Sequence, residues 1–153
     1  MASTDAADYK INAHAHVLPA PEDIPQFMVD EEIFWVDKER QFMFQKNWRR
    51  PVTDPSFFLD AKLDWMDRAG LDHAVILPLS QLYGNGMERD KLRRVMEFQN
   101  NFNASIQSRY PSKFTCGFVL NPAYTDLALA EMRRCVEDLG LRILCLPTHY
   151  LDT

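Results

Sequence analysis

Two stretches of the chain repeat one pattern: a helix-forming run, a glycine, a continuous apolar segment and a proline. The first passes through Ala69-Gly70-Leu71 into Ala74-Val75-Ile76-Leu77-Pro78. The second passes through Leu139-Gly140-Leu141 into Ile143-Leu144-Cys145-Leu146-Pro147. A glycine after the last helical turn supplies the left-handed residue that ends a helix. An apolar run without polar alternation is what a strand covered on both faces requires, as in a parallel sheet. Two further segments have the same character, Ile11-Asn12-Ala13-His14-Ala15-His16-Val17 and Phe114-Thr115-Cys116-Gly117-Phe118-Val119-Leu120.

Helical patterns lie between these strands. Asp54 followed by Pro55 is a start signal, with Leu59, Leu63 and Met66 at helical spacing up to Ala69. A second pattern covers 88–108 through Leu92, Val95, Met96, Phe98, Phe102 and Ile106, until Tyr110-Pro111 breaks it. A third covers 125–139, with Leu127, Leu129, Met132 and Val136 expected to face inward. Strands alternating with helices demand right-handed crossovers and a parallel sheet. The class is α/β, and four such strands are half of an eight-stranded barrel.

Between the first strand and the first helix the pattern changes. The prolines in Ala20-Pro21-Glu22-Asp23-Ile24-Pro25 exclude regular structure there. Residues 32–36 and 41–46, joined by the polar step Asp37-Lys38-Glu39-Arg40, read as a β-hairpin inserted after strand one, over about 26–50. Phe27, Phe34, Trp35, Phe42, Phe44 and Trp48 give this insertion an aromatic satellite core.

Composition narrows the classes. A chain of 153 residues suits one domain, 1–153. Its 17 Lys+Arg against 22 Asp+Glu give a formal charge of -5 without a basic stripe, so the electrostatic footprint of a nucleic-acid binder is missing. No apolar run approaches the roughly 18–20 residues that span a bilayer, and the polar start lacks a signal-peptide core, so no membrane role and a cytoplasmic location are expected. Cys116, Cys135 and Cys145 are widely spaced in apolar segments and read as buried thiols.

In a parallel α/β barrel chemistry gathers just beyond the carboxyl ends of the strands. Strand one ends in His14 and His16, which alternate to one face and can aim two imidazoles at one point, a chelating arrangement. Strand two delivers Ser80 and Gln81, strand three Asn121, and strand four Thr148, His149 and Tyr150. His73 starts strand two, at the opposite end, and reads as structural.

Taken together, the stretch Ile11-Asn12-Ala13-His14-Ala15-His16-Val17-Leu18-Pro19 resembles the first strand of the metal-dependent amidohydrolase superfamily. In particular it resembles the branch containing 2-amino-3-carboxymuconate-6-semialdehyde decarboxylase and related aromatic-acid decarboxylases. Leu63-Asp64-Trp65-Met66-Asp67-Arg68-Ala69-Gly70-Leu71-Asp72-His73-Ala74-Val75, Tyr110-Pro111-Ser112-Lys113-Phe114 and Leu139-Gly140-Leu141 leading to Pro147-Thr148-His149 follow in the family's order. The resemblance implies the N-terminal half, four βα units, of a TIM (β/α)₈ barrel. It also implies one divalent ion on His14 and His16, zinc before manganese. The family completes its site with a histidine after strand five and an aspartate after strand eight, positions this chain does not reach; the chain is therefore expected to be truncated, and its catalytic residues stay unassigned.

The family also carries a basic residue in the hairpin that contacts a substrate carboxylate. Here the candidates are Lys46, Arg49 and Arg50, with Lys46 and Arg49 preferred, and His149 stands as a further substrate contact. The expected activity is decarboxylation of a small carboxylated unsaturated or aromatic acid. The alternatives are a metal-dependent hydrolase of a lactone or amide, and a catalytically silent half-barrel. A homodimer that closes the sheet is the less favoured alternative to a truncated chain, since it would still lack the missing ligands.

Overall fold

A computed structural model describes residues 8–148. Four strands, β1 (Ile11–Ala15), β5 (His73–Ile76), β6 (Phe114–Val119) and β7 (Ile143–Cys145), form one sheet in the order β1-β5-β6-β7. Every pairing is parallel. Helices α2 (Leu59–Ala69), α3 (Arg89–Arg109) and α4 (Thr125–Glu137) are the crossovers. This is the curled half-barrel expected from the repeated units, with β1 and β7 as its two edges.

The glycine signals do what the pattern predicts. Gly70 ends α2 with φ +63°, and Gly140 turns the chain into β7 with φ +68°. The start of α2 differs from expectation. Asp54 does cap, accepting from Ser56 N at 2.9 Å, but the capped turn is a separate 3₁₀ segment, Pro55–Phe57, and the α-helix begins only at Leu59.

The core lies between the outer face of the sheet and the helices: Val17, Ile76, Phe114 and Phe118 pack with Met66, Ile106 and Leu141. The inward assignment on α4 holds for Leu127 but not for two of its partners. Leu129 is 54% exposed and Met132 37%. They occupy the flank of α4 away from α3, where no described helix packs. On β7, Leu144 is 42% exposed.

α3 carries a polar row that hydrophobic periodicity does not reveal. Asn100, fully buried, donates to Val119 O at 3.1 Å and accepts from Val119 N at 2.8 Å; Asn103 donates to Gly117 O at 2.7 Å, and Gln107 accepts from Cys116 N at 2.8 Å. These amides satisfy backbone groups of β6 that would otherwise be buried unpaired.

The insertion is larger than a hairpin. β2 (Trp35–Val36), β3 (Phe42–Gln45) and β4 (Trp48–Pro51) make a three-stranded antiparallel sheet, preceded by a 3₁₀ turn at Pro21–Asp23 and the short helix α1 (Gln26–Asp30). Asp37 shapes the first turn by accepting from the amides of Gln41 and Phe42. Lys46, at φ +35°, and Asn47 form the two-residue second turn that pairs Gln45 with Trp48.

Phe34, Met28, Ile33 and Met43 fill a satellite core with Leu79 and Val95. Trp35 and Phe44 stack on the other face of the small sheet, with centroids 5.1 Å apart. Ion pairs of Glu31 with Lys91 and Arg94, and of Arg40 with Asp60, fasten the insertion to α3 and α2.

Candidate metal centre

His14 and His16 converge, but not along a regular strand. β1 contains a bulge: Asn12 pairs with Ala74 and Ala15 with Ile76, so three steps on β1 match two on β5. A bulge bends the strand and re-aims side chains. His16 lies one residue beyond β1. The outcome is nonetheless a pair, with the two Nε2 atoms 3.1 Å apart and the rings edge to face at 4.9 Å between centroids.

The orientation of His16 is fixed from behind. Its Nδ1 donates to Leu77 O at 2.9 Å, just past β5, which leaves the Nε2 lone pair of the neutral ring directed at His14. Partial burial lowers the pKa of His16, with the neighbouring charges of His14 and Lys62 adding to the effect and the bond to Leu77 opposing it. A neutral imidazole is the form that binds a metal.

The pair fits one divalent ion. Nitrogens 3.1 Å apart, each about 2.0–2.1 Å from an ion, subtend about 100° at it, between octahedral and tetrahedral angles. No cluster of three or more His, Cys, Asp or Glu side chains occurs among the described residues, so the pair fills two coordination positions and leaves the rest open.

A cavity of about 210 Å³ adjoins His16. Arg50, Ser80, Gln81, Met43 and Phe57 share its lining. The insertion builds one wall: Gln45 donates to Gln81 O at 2.7 Å and Leu18 N to Phe57 O at 2.6 Å, which hold β3 and the loop after β1 against the strand ends. Wider clefts of about 250 and 470 Å³ lie between α2 and α3, away from the histidines.

The three basic candidates separate. Arg50 pairs with the buried Met43 and lines the cavity with His16, whereas Arg49 pairs with Phe44 on the opposite face and lays its guanidinium over Phe42 at 5.1 Å. Lys46 stands in the exposed β3–β4 turn. β4 itself went unrecognised in the sequence because Trp48-Arg49-Arg50-Pro51 has no apolar alternation; all four residues are exposed.

His149 lies outside the described residues. Asn121 is buried and committed locally: its amide donates to Tyr83 O and Asn85 Oδ1, and its oxygen accepts from Ala123 N. His73 is structural as expected, held by Ser112 O at 3.1 Å and Thr115 Oγ1 at 2.9 Å. Cys116 and Cys135 are buried thiols whose pKa desolvation pushes up to about 12; Cys145 is only partly buried.

No protein-family model and no curated protein matches the chain. Solved structures do. The 2,6-dihydroxybenzoate decarboxylase from Rhizobium aligns over 87% of this chain and 36% of its own, with 18% identity and a TM-score of 0.56. The dihydroxybenzoic acid decarboxylase from Polaromonas, solved with manganese and 2-nitroresorcinol, aligns over 88% and 36%, at 18% identity and a TM-score of 0.55. The 5-carboxyvanillate decarboxylase from Novosphingobium aromaticivorans, solved with manganese and 3-methoxy-4-hydroxy-5-nitrobenzoic acid, aligns over 94% and 43%, at 17% identity and a TM-score of 0.63. These structural neighbours are amidohydrolase-superfamily decarboxylases, and the chain spans well under half the length of each. At such identities the match establishes the fold, the N-terminal half of a (β/α)₈ barrel.

Proposed function

We propose that the chain is the N-terminal half of a metal-dependent decarboxylase of the amidohydrolase superfamily, acting on a small aromatic or unsaturated carboxylic acid. The observation that carries this reading is the His14–His16 pair at the carboxyl end of β1, with Nε2 atoms at chelating distance and His16 locked by Leu77. The architecture shared with aromatic-acid decarboxylases supports the reaction class, and manganese in two of those enzymes supports a divalent ion, zinc or manganese, here.

Each residue has a task in this scheme. His14 and His16 hold the ion, which when bound supplies a Lewis acid and a template for substrate oxygens. Arg50, on the cavity wall built by the insertion, receives the carboxylate, because a guanidinium can bind both oxygens in parallel. Met43 and Phe57 give the ring an apolar wall. Ser80 and Gln81 offer polar contacts beside it, and His149 remains a candidate contact at the end of strand four.

A second reading has its own support. With only two ligands converging among the described residues, and under half of each neighbour's length spanned, the chain alone also suits a catalytically silent half-barrel. Elemental analysis of untagged protein separates the two readings at the first step. Bound zinc or manganese that is lost in both His14→Ala and His16→Ala supports the metal centre. Absence of metal from the unaltered chain assigns it the silent role.

A further inference from the structure

Tyr83 is the one aromatic residue of the loop between β5 and α3, and its ring joins none of the three hydrophobic clusters. It follows the 3₁₀ turn Ser80–Leu82, whose first two residues line the His16 cavity. The ring is partly buried, and its hydroxyl has no hydrogen bond among the described residues.

The backbone beneath this side chain is fixed, by contrast. Asn121, buried beyond β6, donates to Tyr83 O at 2.9 Å and to Asn85 Oδ1 at 3.3 Å, and its own oxygen accepts from Ala123 N at 3.0 Å. Gly84 turns at φ +71°, and a Cβ there would collide with the Leu92 side chain on α3. The loop therefore presents Tyr83 at a set position.

That position is the far side of the barrel mouth. Cys116 and Phe118 belong to the core under the helices, so Gly117 between them faces the concave side of the sheet. A Cβ at Gly117 would lie 3.4 Å from Cys145 Sγ, which places this thiol, on the last residue of β7, on the concave side too. Burial first, and the nearby Cys145 second, raise the pKa of the Tyr83 phenol and keep it a protonated donor. β1 and β7 are the two ends of the order β1-β5-β6-β7, with about 4.8 Å between neighbouring strands. His16 and Arg50 occupy the β1 side of the mouth, and Tyr83 the β7 side.

We infer that Tyr83 is a specificity-determining residue, whose hydroxyl donates to an acceptor on the end of the substrate remote from the carboxylate that Arg50 receives. Asn121 is the positioning residue behind it. This inference rests on the carboxylate site proposed above and adds which acids that site distinguishes. An oxygen at the far end of the ring satisfies the phenol, whereas a methyl group of the same size leaves a partly buried donor without a partner.

Calorimetric titration of the untagged, zinc-loaded chain with 4-hydroxybenzoate and its near-isostere 4-methylbenzoate tests the assignment. The unaltered chain should bind the hydroxy acid about 3- to 10-fold more tightly. Tyr83→Phe should bring the two affinities together and leave that for 4-methylbenzoate unchanged. Asn121→Ala, checked for an unchanged far-UV spectrum, should lower the same ratio, which a loss of stability alone would not move. Equal binding of the two acids by the unaltered chain, or a preference that survives Tyr83→Phe, overturns the inference and leaves the carboxylate site standing. Binding of neither acid overturns both.

Discussion

Arg49 and Arg50 are adjacent in sequence and serve opposite faces of one strand. The pleat sends Arg50 toward the buried Met43 and the His16 cavity, while Arg49 lies over Phe42. Charge-assisted hydrogen bonds to a carboxylate are worth about 1.5–3 kcal/mol, roughly a 10- to 150-fold change in affinity. Arg50→Ala should therefore weaken binding of a benzoate-type ligand to the zinc-loaded chain by about that factor, and Arg49→Ala should change it little. Calorimetric titration of both variants checks this, and equal losses would refute the assignment. At this scale the convergence of His14 and His16 was legible because two imidazoles one residue apart at a strand end are brought to one point. The arginine was not, because its direction depends on β4, an exposed edge strand without a periodic pattern. The tether of His16 to Leu77 O was equally hidden, since it joins residues 61 positions apart.

At the scale of elements, α3 and α4 are joined at their N-termini by a single ion pair. Arg89, the first residue of α3, donates from Nη1 to Asp126 Oδ1 at 2.9 Å and makes a second contact from Nη2 to Oδ2. Asp126 sits in the first turn of α4, where a negative charge complements the helix dipole, whereas Arg89 opposes its own helix. The hydrogen bonds from Arg89 hold the Asp126 carboxyl at about 2, below its ordinary value near 3.8. A carboxylate depressed in the folded state adds stability that is fully present above its unfolded pKa and is lost as pH falls toward the folded one. The urea midpoint advantage of the unaltered chain over Asp126→Asn should be constant from neutral pH to about 5 and vanish near pH 2. A constant difference across that range would show that the pair is not coupled to folding. Strand and helix order was legible from apolar runs and the glycines at 70 and 140. The long-range ties were not: the Asn100, Asn103 and Gln107 bonds to β6 use polar residues that look like solvent-facing positions until α3 is seen lying on the strand.

Across the whole molecule, exposure on one flank of α4 marks a surface that no described element covers rather than a failure of the helix pattern. Leu129 and Met132 recur at helical spacing with Leu127 and Val136, and that spacing is what suggested an inward face. Periodicity reports that a surface is suited to burial, but it does not report which neighbour provides it. Here α3 covers the Leu127 side of α4, whereas Leu129 and Met132 stay exposed beside Val136 on another side of the helix. A buried and an exposed leucine should then respond very differently. Leu141, fully buried against the main core, should lose about 2–5 kcal/mol on change to Ala, because the removed methyl groups leave a cavity. Leu129→Lys should alter stability by no more than about 0.5 kcal/mol, since the position is already 54% exposed. The same substitution should reduce binding of a hydrophobic dye and slow aggregation, because it breaks a contiguous apolar patch. Urea unfolding and dye fluorescence on the two variants measure these quantities independently. A large loss of stability in Leu129→Lys would mean that another part of the chain covers α4 in solution, and the open flank would then be closed from within.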